Sequence, residues 1–488
     1  MEQTKWKPLN LKRTDTLFFF GVAFVFLLEI LILFTEFREE NLRTAWLAPL
    51  IVAMMIYLLM RIGLPRNPAV LLPPAFALWH LLTRVINGDW YLHESHAYVY
   101  MVLLSAFVLF LAPFLASGEQ RDRFLRGIAL LYSVAFSVIA WIAVVAALTG
   151  HPWINPLDGN ILGINEFYSD PYRLNILGIH PNISSIFFYT SLSLLIYLFF
   201  RTERIWVRIV YGAMGVGLYL AICMTGSISA ILVTGVIIGL AVFALFFHSG
   251  KIKKLRILTA ILAMLIAAVI VVVSYPSVIQ WTTGIYEKVR QKGTGINTLL
   301  ITAASAEENQ QQETAAEQEA GGDAGNAVFA QERLEIDSMA ANMGARFDIY
   351  SSAFLSVADR PITLIIGELW DDAMDRSARM INYPFQNHVH NSFLQTLVVG
   401  GGISFLMAIA FTVLLAVYGL RLFFRKGVPM HLRLLVLAPV GLLIHSMTEA
   451  ILFVDTRLPN MLFFFLAGMI IAYASELCPR KEKQKAES

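Results

Sequence analysis

The residues with the clearest chemical potential lie in the stretch QNHVHNSFLQTLVVGGG (386–402), directly before a glycine-containing apolar run. His388 and His390 precede Asn391 and Ser392, two residue types that commonly cap helix amino termini. A helix amino terminus favours a nearby phosphate and biases an imidazole towards its neutral, proton-accepting form. A neutral base beside an anion site suits group transfer from a lipid-linked phosphate. A structural histidine and a metal ligand remain alternatives.

Two arginines are candidate phosphate ligands. They are Arg173 in DPYRLNILGIHPN and Arg346 in ARFDIY. The guanidinium group presents a planar fork of donors that matches phosphate oxygens. Both arginines fall on the side of the membrane that most basic residues avoid in the topology given below. The alternative for each is a lipid headgroup contact or an exposed ion pair. Less specific candidates are Arg84, Arg360, Arg376, Arg379 and Arg457.

Ionisable residues also occur inside apolar runs. His445 and Glu449 in GLLIHSMTEAILF are four residues apart, so a continuous helix would place them on one face. Charged groups in lipid are costly and usually face a cavity or a partner. Glu29 and the pair His80 and Arg84 raise the same question. A buried pair that fixes packing and a functional pair are equally consistent with this pattern.

A metal site is an alternative because four carboxylates precede the histidines. Glu368, Asp371, Asp372 and Asp375 could bind a divalent metal together with histidine. However, ELWDD shows no regular ligand spacing, and exposed acidic runs are usually solvated. We therefore expect neither a metal nor another cofactor.

The composition is typical of a membrane protein. The chain is 57% apolar and 15% charged, with a mean hydropathy of +0.64, whereas soluble domains carry about 25% charged residues. The net charge of +2 gives no case for nucleic-acid binding. Cys223 and Cys478 are the two cysteines of the chain, which excludes a disulfide framework and a four-cysteine zinc site. The first apolar run lacks a small-residue cleavage site, so we expect a retained anchor.

Twelve spans are predicted, since each needs roughly 20 apolar residues. They cover 15–34, 45–60, 68–86, 98–116, 127–148, 182–200, 206–224, 227–248, 257–278, 393–419, 434–453 and 458–475. With a cytoplasmic amino terminus, most basic residues fall on the cytoplasmic side, as the positive-inside rule requires. The basic segments on that side are RIGLPR, EQRDRFLR, RTERIWVR, KIKKLR, RLFFRKGVPMHLR and RKEKQK. The sequence thus predicts an all-α multi-pass protein with both termini in the cytoplasm.

This topology divides the chain into tails, spans and two long outer loops. The predicted segments are a tail at 1–14, nine spans within 15–278, a large extracytoplasmic loop at 279–392, three spans within 393–475 and a tail at 476–488. The second outer loop is 149–181. Within the large loop, residues 306–327 are acidic and nearly free of large apolar side chains, so we expect disorder there.

The order of these motifs resembles the O-antigen ligase and O-antigen polymerase family of integral membrane glycosyltransferases. In that family, a histidine and a following Asn, Ser or Gln lie shortly before a glycine. His390, Asn391 and Gly401 match, while Ser404 stands where the family has Gly, Thr or Tyr. The resemblance spans about residues 130–455 and implies a helical fold of the GT-C kind.

Further blocks carry the same resemblance. YRLNILGIHPN is similar to the family's arginine loop through Arg173, Leu174, Gly178, Pro181 and Asn182. Arg346 fits the family's second loop arginine. MTGSISA (224–230) resembles a third block, in which an arginine normally follows the serine, but this chain has Ile228 there. One phosphate contact expected from the family is therefore missing.

The resemblance implies a mechanism and a set of site residues. His390 would be the general base, and Arg173 and Arg346 would stabilise a departing pyrophosphate. The expected substrate-binding residues are His388, Asn391, His180, Asn182, Gly401, Glu449 and His445. The implied partners are an undecaprenyl-pyrophosphate-linked glycan, a glycan or lipid-anchored acceptor and membrane lipids.

The family resemblance implies a bacterial cytoplasmic membrane and leaves polymerase and ligase open, because these activities differ only in the acceptor. A transporter or flippase of lipid-linked oligosaccharide is the competing interpretation. It accounts for twelve spans and buried charges, but it gives the large outer loop no purpose, and the sequence shows no internal repeat of the kind that many transporters have. A non-catalytic scaffold in a glycan assembly complex is a third possibility.

Overall fold

The computed structural model describes residues 12–33, 40–62, 68–88, 96–116, 118–149, 151, 153–154, 161–164, 173–176, 179–249, 253–293, 336–369, 372–373, 389–454 and 458–477. Its helices are α1 (Lys12–Ile32), α2 (Glu40–Ile62), α3 (Pro68–Ile86), α4 (His96–Val102), a π-helical segment (Leu103–Leu109), α5 (Phe110–Leu115), α6 (Gly118–Thr149), α7 (Pro181–Arg201), α8 (Ile205–Met224), α9 (Ile228–Ser249), α10 (Lys253–Gly293), α11 (Ile336–Ala358), α12 (Pro361–Ile366), α13 (Ser392–Phe424), α14 (Met430–Leu434), α15 (Leu437–His445) and α16 (Leu458–Leu477). The predicted disordered tract 306–327 and Cys478 lie outside the described residues.

The predominantly helical membrane architecture is confirmed. Eight of the described helices are long and apolar enough to cross a bilayer. Four shorter apolar helices, Thr16–Ile32, Ala48–Arg61, Val99–Leu115 and Met430–His445, coincide with the remaining predicted spans. The count of twelve spans stays a prediction, because the short helices fall below the usual crossing length.

Side-chain contacts define a basic end of the helix bundle. Arg201 at the end of α7 pairs with Asp122 near the start of α6. Arg433 in α14 donates to His248 near the end of α9 over 2.6 Å. The basic residues that share this end are Arg121, Arg123, Arg126, Arg201, Arg204, Arg208, Arg421, Arg425, Lys426 and Arg433. The starts of α7 and α13 and the ends of α8 and α15 therefore meet at the opposite end, called the polar end below.

A small antiparallel sheet between α6 and α7 adds to the predicted all-α fold. β1 (Trp153–Ile154), β2 (Ile161–Ile164) and β3 (Leu174–Ile176) pair in sequence order. The register places Leu162 opposite Ile176 and Ile164 opposite Leu174. The hydroxyl group of Ser184 in α7 donates to the carbonyl of Ile179 and accepts from the amide of Ile176. The sheet thereby fixes the chain that leads into α7.

Helix α13 is broken at Gly401, which has φ 70° and ψ −174°. The break frees backbone carbonyls, and neighbouring groups satisfy them. The indole of Trp79 donates to the carbonyl of Gly400 over 2.9 Å, and the guanidinium of Arg84 donates to that of Val399 over 2.5 Å. The amide of Glu368 donates to the carbonyl of Val398. Broken helices persist inside membranes only when such partners replace the lost bonds.

We expect Gly401→Ala to destabilise the fold strongly. A Cβ at this position would overlap the carbonyl oxygen of Ile365 and lie 2.5 Å from the amide nitrogen of Gly367, at a positive φ that L-residues disfavour. The combined strain and overpacking cost at least about 2 kcal/mol. Thermal unfolding of the purified protein measures the effect. Gly212→Ala is the matched control, since no atom lies within 4 Å of its Cβ. Equal melting temperatures for the two variants would contradict the role of the break.

The helix observed within the predicted span 434–453 is shorter than that span, because α15 ends at His445. Residues 446–454 are turns, bends and irregular chain. The amide of Glu449 still donates to the carbonyl of His445 over 3.0 Å, so a single turn beyond the end of the helix links these two residues. The hydroxyl of Ser392 accepts from the amides of Ile451 and Leu452 at 2.9 and 3.0 Å and donates to the carbonyl of Glu449. This contact across the bundle replaces the helical hydrogen bonds that the segment gives up.

Candidate functional site

The site forms around the start of α13 at the polar end. Asn391 caps this helix, and its side-chain oxygen accepts from the amides of Phe393 and Leu394 at 3.0 and 3.1 Å. His390 precedes the cap in a left-handed conformation with φ 53°. The phenol of Tyr350 in α11 donates to the carbonyls of His390 and Met447 at 3.1 and 3.0 Å. The cap and the phenol together fix the backbone that carries the His390 imidazole.

Glu449 is the centre of the site. One carboxylate oxygen lies 3.1 Å from Nδ1 of His390. The other lies 3.5 Å from the Arg346 guanidinium and accepts from the side-chain amide of Asn182 at 3.1 Å. Because an ionised carboxylate can only accept, Nδ1 of His390 carries a proton. In the neutral imidazole, Nε2 is then the ring nitrogen that carries the lone pair.

Arg173 joins the site through Asn182. Its guanidinium donates over 2.7 Å to the side-chain oxygen of Asn182 and, through Nε, over 2.7 Å to the carbonyl of Thr225. Thr225 and Gly226 form the turn between α8 and α9, in which Gly226 has φ 65°. This turn passes so close to Arg173 that a Cβ on Gly226 would lie 3.2 Å from the Nε atom of the arginine. The segment ahead of β3, the start of α7 and the α8–α9 turn thus converge on Arg173.

The central carboxylate is buried, whereas the imidazole and the guanidinium that contact it are partly exposed to solvent. The Glu449 side chain is 3% exposed, whereas those of His390 and Arg346 are 34% and 28% exposed. A buried carboxylate must be compensated, and its partners here are a guanidinium, an imidazole N–H and an amide. Burial raises the pKa of the Tyr350 phenol, so the phenol stays protonated and keeps donating at neutral pH. The reactive groups face outwards, and the group that orients them does not.

The structure brings together six of the residues singled out from the sequence: Arg173, Asn182, Arg346, His390, Asn391 and Glu449. His180 lies next to this cluster, where its side chain caps α7 by accepting from the amide of Asn182. Gly401 lies at the break in α13 instead. His388 lies outside the described residues, as do Arg376, Arg379 and Arg457.

His445 lies behind the site rather than in it. The imidazole is fully buried and stacks on Tyr189 with ring centroids 5.5 Å apart. Neither ring nitrogen has a hydrogen-bond partner among the described residues. His80 and Arg84 belong to the support of the broken helix, where His80 contacts the hydroxyl of Ser404.

The described residues contain no group of three or more His, Cys, Asp or Glu side chains that could hold a metal ion. Two members of the acidic run considered above, Asp371 and Asp375, lie outside the described part of the chain. Glu368, a third member of this run, is held at α13 because its backbone amide donates to the carbonyl of Val398.

Three contributors were missed in the sequence: the Tyr350 phenol, the Thr225 carbonyl and the Ser392 hydroxyl. The spacing of Arg346 and Tyr350 could have indicated the first, because residues four apart on a helix lie side by side. For the Thr225 carbonyl there is no sequence signal, since the donor of its hydrogen bond is 52 residues away. Ser392 was recognised as a cap candidate, but its contact with the segment after α15 was not.

The fold and the site together define a multi-pass helical membrane protein with a carboxylate–imidazole–guanidinium cluster at one end of its bundle. Residues 213–409 match the family model described as O-antigen ligase. Over these residues the chain is similar to the O-antigen ligase family, and the resemblance inferred from the motifs is confirmed. The family consists of membrane proteins that join glycans. No curated protein and no solved structure gives a significant match.

The matched range covers part of the site. Arg346, His390 and Asn391 lie within it, whereas Arg173, Asn182 and Glu449 lie outside it. The tertiary contacts described above join these two sets of residues.

Proposed function

We propose that the protein transfers a glycan from a polyprenyl-pyrophosphate donor, of the undecaprenyl class, to an acceptor hydroxyl. The observation that carries the proposal is the contact of Glu449 with His390 Nδ1 and with Arg346, while Asn182 links it to Arg173. This arrangement provides an oriented base beside two guanidinium groups. The family match supports glycan joining, and the roles of the individual residues are part of the proposal.

In the proposed reaction, the acceptor oxygen attacks the anomeric carbon of the donor glycan. The bond from this carbon to the pyrophosphate oxygen breaks, and the carrier leaves as the pyrophosphate anion. His390 Nε2 takes the hydroxyl proton, an effect worth on the order of 10²–10⁴ in rate. Arg173 and Arg346 stabilise the charge that develops on the leaving group. The chemistry uses neither a nucleotide sugar nor a metal, since the leaving group is already activated.

The charge of the cluster suits a pyrophosphate. Two guanidinium groups oppose one carboxylate, so the site keeps positive charge while His390 is neutral. Arg173 also supplies a guanidinium at the Thr225–Gly226 turn, close to the block in which Ile228 replaces the arginine usual in the family.

The surroundings suit a lipid-borne donor. Helix α11 carries Arg346 and Tyr350 towards the site, while Phe347, Phe354 and Leu355 on the same helix are 61%, 53% and 53% exposed. Aromatic and aliphatic side chains on a helix at a membrane boundary insert among lipid chains. A polyprenyl chain beside this face would place its pyrophosphate at the level of Arg346.

Reconstitution tests the proposal. The purified protein is mixed with a polyprenyl-pyrophosphate-linked oligosaccharide, alone or with a lipid A core acceptor, and products are analysed by mass spectrometry. We expect a longer or transferred glycan together with released polyprenyl pyrophosphate. Elongation without a separate acceptor identifies a polymerase, and transfer to the core identifies a ligase. Movement of the labelled donor across the bilayer with unchanged glycan length would instead support the flippase.

We further propose that the polar end faces the outside of the cytoplasmic membrane and the basic end faces the cytoplasm. The concentration of arginines at the basic end supports this orientation through the positive-inside rule. In a Cys223→Ser/Cys478→Ser background, we expect an impermeant maleimide to label the Trp153→Cys variant in intact cells. The matched Lys426→Cys variant at the basic end should react only after lysis. Reversed labelling would place the site in the cytoplasm and remove the basis for an external acceptor.

A further inference from the structure

The basic end contains a cavity that the proposed reaction does not use. It has a volume of about 610 Å³ and lies where the end of α7, the α7–α8 turn and the start of α8 meet α6. Its lining residues are Arg126, Leu198, Arg201, Thr202, Glu203, Arg204, Trp206, Val207 and Tyr211. We propose that this cavity binds the phosphate headgroup of an anionic phospholipid.

The charge of the lining is the first reason. Arg126, Arg201 and Arg204 come from three different parts of the chain, α6, α7 and the α7–α8 turn, and a single acidic residue, Glu203, lines the same cavity. Guanidinium groups bind phosphate oxygens through paired N–H donors. Basic pockets between membrane helices on the cytoplasmic side are suited to anionic lipid headgroups.

The cavity is held in shape by contacts around it. Arg201 is fixed by its ion pair with Asp122 and lies 3.4 Å from the ring of His431. These contacts hold the Arg201 side chain in place at the wall of the cavity. Arg208 lies outside the cavity and stabilises the α7–α8 turn, because its Nε donates to the carbonyl of Thr202 over 2.9 Å.

An apolar surface beside the cavity indicates a lipid rather than a free anion. Ile205, Trp206 and Ile209 at the start of α8 are 69%, 61% and 66% exposed. These side chains continue from the rim of the cavity along the helix, where acyl chains can pack. A phosphate held by the arginines would therefore have its chains beside α8. A soluble phosphate would leave this face unused.

Lipid binding to the purified full-length protein tests the proposal. After delipidation, binding of cardiolipin, phosphatidylglycerol, phosphatidylcholine and inorganic phosphate is measured by native mass spectrometry and thermal shift. We expect the two anionic lipids to bind and stabilise the protein, and phosphatidylcholine and inorganic phosphate to have little effect. In the Arg126→Gln/Arg204→Gln variant we expect anionic-lipid affinity to fall about 30-fold, because each arginine near an anionic membrane contributes roughly a factor of five.

Arg123→Gln is the matched control. Arg123 lies on α6 one turn before Arg126 and outside the cavity, and its side chain is 74% exposed. Both replaced arginines, Arg126 and Arg204, are also exposed, so the double variant should fold, and its melting temperature without added lipid verifies this. Equal anionic-lipid affinity in the double variant and in Arg123→Gln would overturn the proposal. Stabilisation by inorganic phosphate to the same extent as by lipid would also overturn it.

Discussion

We expect His390→Ala to abolish glycan joining while the protein still inserts into the membrane and accumulates. The variant removes the imidazole that is proposed to take the proton of the acceptor hydroxyl and that is 34% exposed to solvent. The loss should reach about 10²–10⁴-fold in rate, the usual contribution of a general base. Product formation from a polyprenyl-pyrophosphate-linked glycan, measured on equal amounts of membrane-inserted protein, gives the answer.

His151→Ala is the matched control for this variant. His151 follows α6 at the polar end and is exposed, and it makes no side-chain contact with the cluster among the contacts described above. Its replacement should leave product formation unchanged. If His390→Ala and His151→Ala made equal amounts of product, His390 would not be the base, and the transfer mechanism proposed above would have to be abandoned.

We expect Glu449→Gln to lower the transfer rate by a similar order, although Glu449 itself need not touch the substrate. Glutamine keeps the size of the side chain and can still accept from His390 Nδ1, but it no longer carries the charge that compensates the imidazolium formed during proton transfer. It also leaves Arg346, 3.5 Å away, without its carboxylate partner. The guanidinium of Arg346 that loses its partner is 28% exposed, so stability should fall by less than the roughly 3–5 kcal/mol typical of a fully buried pair.

The measurement must distinguish a loss of His390 orientation from unfolding of the variant protein. Glu449→Asp keeps the charge with a shorter side chain, and we expect it to recover part of the rate lost in Glu449→Gln. The rates of both variants are compared at a temperature where each is folded, as judged by thermal unfolding. A Glu449→Gln enzyme that is stable and fully active would show that the carboxylate is not needed to orient or compensate His390.

The amino-acid sequence determined the class of the protein and most of its reactive groups. Twelve apolar runs match described apolar helices because burial in lipid demands about 20 consecutive apolar residues, a signal that a linear reading detects directly. The cap at Asn391 was equally readable, since capping depends on residues within one turn. His390, Arg173 and Arg346 were recognisable as candidates because imidazoles and guanidinium groups are unusual in the loops that most basic residues avoid.

The tertiary structure decided how these groups are joined. The partners of Glu449 are 59, 103 and 267 residues away in the sequence, and no local pattern encodes contacts over such separations. The helix that was expected to continue to residue 453 ends at His445, and the hydroxyl of Ser392 accepts from two amides of the chain beyond it. Gly401, which matched a family motif, lies at a helix break instead of in the site.

The physical reason for this division is the range of each interaction. Hydropathy and capping act within one element, so a linear sequence reveals them. A buried carboxylate is tolerated only where cations and amides from other elements surround it, and that arrangement exists only after the helices have packed.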